Sequence, residues 1–243
     1  MRRRNSLNVQ RLLFILSVVF IIIFHFEKLL NIKTYYLYFS TTPFSYQVLR
    51  LLLYGLFLTL GISMFSEKRI FLFLGLVLSS ILNLQFNYGA DVFIFNLTLF
   101  LAFIGNSSKD DFLKSCGYLL MLSHLTVIYI YNGVNKLTDS IWLNGKVIEF
   151  YLTPKIGFLQ GVELDVGIAR FISLSVVVLQ FSILLIWFKK LRKLIAILFI
   201  LKHSFIAFFL HPFFGVVCVL THFHVYFYKG NAFKDTLKGL EKS

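Results

Sequence analysis

Charge is scarce in this chain, and acidic charge is the scarcest. Of the 243 residues only 14% are Asp, Glu, Lys or Arg, and the acids number 11. A soluble globular domain carries about a quarter charged residues. A water-soluble fold of this length would have too few charges to cover its surface. Cysteine is nearly absent: Cys116 and Cys218 each sit in an apolar run, form no CxxC and have no metal-ligand spacing. They read as buried free thiols. No GxSxG, P-loop, HExxH or GxGxxG occurs, which leaves the common hydrolase, nucleotide-binding and protease chemistries without support.

What fills the chain instead is apolar. Hydrophobic residues make up 58% of it, and eight apolar segments stand out, at about 12–30, 48–65, 70–86, 91–105, 114–136, 168–188, 191–210 and 212–228. A backbone that faces lipid must satisfy its own hydrogen bonds, so each segment is expected to be a helix. The expectation is an all-α, polytopic transmembrane bundle of about eight spans, a single integral membrane domain over residues 1–243 surrounded by the lipid bilayer. The last two segments meet at His211-Pro212, where proline cannot continue a helix. The basic stretch to Arg11 and its apolar run resemble a signal sequence. However, His25-Phe26-Glu27-Lys28 follows in place of small cleavage-site residues, so this is read as an uncleaved first span. The longest connection, about residues 137–167, is of a length that tends to be functional or to hold re-entrant pieces.

The basic residues indicate orientation. Formal net charge is +13, with 24 Lys and Arg. In a soluble chain that excess would point to nucleic acid; between apolar segments it is a topology signal, and no nucleic-acid partner is expected. With the N-terminus in the cytoplasm, sixteen basic residues fall inside, among them Arg2, Arg3, Arg4, Arg11, Lys189, Lys190, Arg192 and Lys193. Seven fall outside, including Lys28 and Lys136, and Lys202 lies within a span. This bias supports cytoplasmic N- and C-termini and an even number of crossings in a cell (plasma) membrane.

Ionisable residues inside spans are costly and are therefore functional candidates. At the end of the fifth segment Tyr129, Asn132 and Lys136 recur at i, i+3 and i+7, one face of a helix. Taken out of water, the Lys136 amine can act as a general base. Its other reading is a lysine snorkelling to the interface, with Trp142 as an aromatic anchor. Before the fourth segment, Asn87-Tyr88-Gly89-Ala90-Asp91 joins a turn glycine to an aspartate that either caps the next helix or takes part in chemistry. Asp91 shares the outer side with Lys136, and an ion pair between them is one expectation. Lys202 and His203 lie about 100° apart on the seventh segment, with His211 near its outer end. His203 either relays a proton, binds a ligand or bridges helices. His222 and His224, at i and i+2, point to nearly opposite faces, and His124 has no partner at helical spacing, so no metal site is expected.

The run Tyr129-x3-Gly133-x2-Lys136-Leu137, followed by Trp142-x2-Gly145, resembles the signature of the HTTM family, the membrane domain shared with vitamin K-dependent gamma-carboxylase. Asn87-x-Gly89-x-Asp91 is similar to that family's loop before a span. His203, with the apolar stretch to Phe213, is similar to its late H-x-x-x-A helix. The order and approximate distances agree along most of the chain. The resemblance implies Lys136 in the place of the base that deprotonates a quinol, with Asp91 and His203 as further catalytic candidates. It implies Asn87, Gly89, Tyr129, Asn132, Gly133, Trp142 and Gly145 around the substrate or cofactor. The chain departs from the pattern at Gln180, where the family often has glutamate, and at Asn135, the first of the carboxylase's paired lysines. It also lacks the carboxylase's large lumenal domain, so vitamin K carboxylation itself is not expected.

The segment from Trp142-Leu143-Asn144-Gly145 to Phe150-Tyr151-Leu152, with Gly157 after it, is similar to short bacterial members of the sporulation-delaying protein B type. These accompany secreted antimicrobial peptides. The implied function is modification or maturation of a secreted peptide at the outer membrane face, with that peptide or a lipid-soluble quinone as partner. The alternative is a non-catalytic protein that binds a quinone, lipid or peptide, as an immunity or assembly partner. A transporter ranks third, because no internal repeat is visible.

Overall fold

The computed structural model describes residues 2–32, 45–66, 68–85, 89–105, 111–152 and 164–241. Among these residues every regular element is helical. The elements are α1 (Arg2–Leu30), α2 (Tyr46–Phe65), α3 (Ile70–Gln85), α4 (Gly89–Ile104) and α5 (Asp111–Thr138), then the short α6 (Ser140–Leu143) and α7 (Lys146–Leu152). They continue with α8 (Val166–Phe181), which tightens into a 3-10 helix over Ser182–Trp187, and end with α9 (Lys189–Phe209), α10 (Pro212–Phe227) and α11 (Ala232–Leu240).

Each of the eight apolar segments coincides with one of these helices. Length and charge separate them. Four stretches are long and apolar enough to cross a membrane: Val9–Leu30, Tyr46–Phe65, Phe112–Thr138 and Val166–Trp187. That is fewer than the expected eight, and the reason is geometric. α3, α4 and α10 have 16 residues each, a rise of about 24 Å, against a hydrocarbon core of about 30 Å. α9 has 21 residues but carries Lys189, Lys190, Arg192, Lys193 and Lys202.

Local chemistry sets several boundaries. Asp165 begins α8 by accepting from the backbone N–H groups of Gly167 (2.8 Å) and Ile168 (3.2 Å), which would otherwise lack partners in the first turn. Asn231 does the same for Lys234 at the start of α11. α10 opens with Pro212 in its first turn, where a missing N–H has no cost.

Two apolar cores result, and α4 and α10 belong to both. One gathers Phe14, Val18 and Ile21 of α1, Leu49, Leu53, Leu56 and Leu60 of α2, Leu97 of α4 and Val217 of α10. The other gathers Phe100 of α4, Tyr118, Met121 and Leu125 of α5, Ile183 and Ile186 of the 3-10 helix, Phe199 of α9 and Val225 of α10. The starts of α1 and α5 and the end of α10 share one level. Lys114 donates to Gln10 (2.9 Å), and Gln10 donates to the Phe227 carbonyl (3.5 Å). α11 packs along α5 at this level. Both chain termini therefore lie at one end of the bundle, called here the terminal end. Lys28, Asp91 and Lys136 lie toward the other, distal end.

α9 and α10 form the closest helix pair. A Cβ on Gly215 would run into the backbone of Ala207, so glycine is what lets the two backbones approach, as small residues do in membrane bundles. Gly215→Val should lower stability by about 1–3 kcal/mol through overpacking, read as a lower unfolding midpoint in detergent. An unchanged midpoint would mean that the α9–α10 hairpin opens without cost.

Candidate functional site

The polar side chains of the bundle fall into three groups. The first joins α1 to α4. Lys28, 2% exposed, forms an ion pair with Asp91, 5% exposed. The Lys28 Nζ also lies 4.8 Å from the centroid of the Phe24 ring. His25, one turn earlier, is buried with neither ring nitrogen hydrogen-bonded. The expected Asp91–Lys136 pair is thus not formed. Lys28 arrives on α1, which packs directly on α4, and takes the carboxylate. Asp91 sits in the first turn of α4, two residues after Gly89 begins it. Asn87 lies outside the described residues.

The second group joins α5, α9 and α10. The Tyr129 hydroxyl and His203 Nε2 share a 2.6 Å hydrogen bond, both groups buried. His222 lies 5.6 Å from His203, ring to ring, and stacks on Phe199 at 5.1 Å. Its Nδ1 is 2.7 Å from the Cys218 carbonyl. A carbonyl only accepts, so Nδ1 carries the proton and Nε2 is a bare lone pair in the neutral ring. His222 Nε2 and His203 Nδ1 both lack a hydrogen-bond partner. The Cys218 thiol lies beside the Tyr129 hydroxyl. Lys202 extends its Nζ to 5.0 Å from the Tyr129 ring and 5.2 Å from the Phe199 ring.

Lys136 completes this group. It is half-buried, its Nζ lies 4.5 Å from the Trp142 ring centroid, and its charge repels that of Lys202. The general-base and anchor readings of Lys136 therefore meet in one place, since the amine rests on the aromatic ring and also borders the buried cluster. Asn132, half-buried, lies on the same face of α5. Cation–π contacts contribute about 0.5–2 kcal/mol, whereas burying an ammonium costs several kcal/mol. The rings alone do not offset the burial of Lys202.

Two of the expected site glycines also lie at close packing contacts. Gly145 has φ +78°, and a Cβ there would fall 2.5 Å from the Arg170 backbone nitrogen. Only glycine fits where α7 meets α8. Gly133 lets the edge of Phe181 approach α5, and Gln180 beside it is buried with its Oε1 unpartnered. The Trp142 carbonyl accepts from Ser173, which ties α6 to α8.

The third group holds the terminal end together. Arg192 donates to the carbonyls of Ile186 (3.0 Å) and Gly230 (2.8 Å) and lies 5.1 Å over the Tyr228 ring, which stacks on Tyr118 at 3.9 Å. Every member of this group is engaged in packing.

His224 is likewise committed. The single proton of Ser17 Oγ goes to the Leu13 carbonyl (2.9 Å), so His224 Nε2, 3.1 Å away, must be the donor to that oxygen. His222 and His224 thus turn to different neighbours, α9 and α1. Sequence reasoning missed the Lys28 partnership. The available signal was that a carboxylate entering an apolar segment needs a cation, and Lys28 ends another span on the same side. No family model, curated protein or solved structure matches the chain.

The buried pair gives a test. Asp91→Asn or Lys28→Met alone leaves a buried charge uncompensated and should cost about 3–5 kcal/mol, whereas replacing both with apolar residues should cost much less. Unfolding midpoints of the two singles and of Lys28→Met/Asp91→Leu measure this. If the double variant is as unstable as the sum of the singles, the pair is not the source of the cost.

Proposed function

We propose that this chain is a bacterial multi-pass membrane protein of the HTTM type that acts on a lipid-soluble or peptide substrate in the distal half of its bundle. Eight helices cross or enter the bilayer, with both termini in the cytoplasm and the distal end outward. Support for this arrangement comes from the shared level of the two termini and from the basic excess on their side. The shorter helices pack beside longer neighbours, α3 against α2 and both α4 and α10 against α1.

One observation carries the functional reading: the Tyr129–His203 hydrogen bond, with Lys202 over the Tyr129 ring and Lys136 two turns further along the same face of α5. Two helices, α5 and α9, bring four proton-exchanging side chains into an apolar bundle, where polar groups have no solvent to satisfy them. In this reading Lys136, as the neutral amine, accepts a proton from the substrate, and the ammonium so formed holds the resulting anion. Tyr129 and His203 form the hydrogen-bonded wall behind it, and Asn132 lies on the approach. The reaction is a modification step in the maturation of a secreted antimicrobial peptide. Asp91, engaged with Lys28, holds the bundle rather than the substrate.

A second reading has one observation in its favour. Lys136 rests on the Trp142 ring, as an interfacial anchor does. A protein that only binds its lipid or peptide would use Lys136 in this way, without proton transfer.

Lys136→Ala separates the two. If Lys136 is a general base, its removal should lower peptide maturation in the producing cell about a hundredfold or more, with the amount of chain in the membrane unchanged. Full maturation with that variant would leave the binding reading standing. Reporter fusions in the 68–69 and 137–167 connections check the topology: the first should report cytoplasm and the second the outside, and the reverse would overturn the orientation.

A further inference from the structure

We infer that the distal part of the bundle carrying Lys136 and Lys202 binds the anionic head, a carboxylate or phosphate, of an amphiphile that enters from the bilayer. The bundle buries two groups of cations and treats them differently. Lys28 has Asp91. Among the described residues no carboxylate pairs with Lys136 or Lys202: the Lys136 Nζ rests on the Trp142 ring, and the Lys202 Nζ lies over the rings of Phe199 and of Tyr129, which shares a face of α5 with Lys136. α8 contributes only the neutral Gln180 next to Gly133, one turn from Lys136. Two ammonium groups in apolar surroundings with no counter-charge are an arrangement that an anion completes.

Hydrogen-bonding capacity points the same way. His203 Nδ1, His222 Nε2 and Gln180 Oε1 are buried and unpartnered. They belong to the helices that carry the two lysines or to those packed against them. The lysines can bind the charged oxygens while the unpartnered groups meet other polar atoms of the head. By contrast, His224 is hydrogen-bonded to Ser17 and Arg192 makes two carbonyl contacts, although His25 beside the Lys28–Asp91 pair also has both ring nitrogens unpartnered.

The surroundings identify the rest of the ligand. Neither lysine is fully enclosed. The side chains flanking them are exposed and apolar: Val134 and Leu137 beside Lys136, Leu201 and Phe205 beside Lys202. An ion from water would cross this apolar surface at a cost. A molecule with an acyl chain would lie along it and deliver its head to the amines. Lateral entry of an amphiphile fits both halves of the site.

The inference rests on the proposed working site, and its test is a binding measurement that does not depend on peptide maturation. Radiolabelled oleate is titrated against the full chain in phosphatidylcholine nanodiscs, with empty nanodiscs subtracted. Saturable binding is expected, weakened about tenfold or more in Lys202→Met and in Lys136→Met, as loss of a charge-assisted contact predicts, and largely kept in Lys202→Arg. Oleyl alcohol, with the same chain and no charge, should not displace it. Displacement by phosphatidylglycerol assigns the site to lipid phosphate as well as carboxylate, and its failure confines the site to carboxylates. Displacement by oleyl alcohol as effective as by oleate overturns the inference, as does unchanged affinity in both Met variants. Inorganic phosphate competing as well as the lipids overturns the amphiphile assignment. If Lys202→Met fails to fold, Lys136→Met decides: binding weakened about tenfold supports the inference, and unchanged binding overturns it. Lost maturation in Lys136→Ala without oleate binding refutes the ligand class but not the working site; binding without any maturation defect refutes the working site but not the ligand.

Discussion

In a bundle this apolar, each buried polar group must find its partner among the few others present. The Lys28–Asp91 pair is the clearest case. Alone, either charge would cost several kcal/mol in the interior. Together they fix the end of α1 against the start of α4. Phe24, under the Lys28 ammonium, in turn meets Phe213 at 5.3 Å. The next residue, Phe214, turns the other way and meets His203 at 5.8 Å. Two adjacent aromatic residues at the start of α10 thus stand between the ion pair and the histidine cluster. Gly215, directly after them, brings α10 onto α9. The position of α10, and hence of His222 and Cys218, follows from this short run.

The same accounting distinguishes the histidines. His224 donates to a serine whose own proton is already used, so its role is fixed by packing. His222 gives its proton to a backbone carbonyl one helical turn away and keeps a free lone pair. His203 shares one nitrogen with Tyr129 and keeps the other. A purely structural core gains nothing from such half-used rings, because an apolar side chain of similar shape fills the space without unsatisfied atoms. Where function needs a proton donor or acceptor, a half-used ring is what supplies it.

The sequence made the helices legible because lipid and apolar core impose the same demand, a run of apolar residues with satisfied backbone. The segment at 70–86 became Ile70–Gln85, and the one at 212–228 became Pro212–Phe227. The face shared by Tyr129, Asn132 and Lys136 was also readable, since 3.6-residue periodicity survives any packing. Partner choice was not readable. Asp91 had several cations on its side of the bundle, and only the packing of α1 on α4 selects Lys28. Nor did spacing reveal Gly145 as a packing residue; its requirement comes from the Arg170 backbone, 25 positions later.

The contrast between the two buried cation groups bears most directly on what the chain does. With 11 acidic residues in 243, carboxylates are a limited resource, and one of them is placed inside the bundle to meet Lys28. A bundle able to provide Lys28 with a counter-charge could have done so for Lys202. Replacing an unbalanced lysine with an apolar residue would spare its desolvation and leave the aromatic contacts of Phe199 and Tyr129 in place. Stability therefore does not explain why Lys202, among the described residues, has the Tyr129 and Phe199 ring faces beside it and no carboxylate. The imbalance lies in the distal half, beside the unpartnered nitrogens of His203 and His222 and within reach of the lipid-facing surface of α9. An external anionic group accounts for all three features at once: the missing charge, the unused hydrogen-bonding positions and the apolar approach.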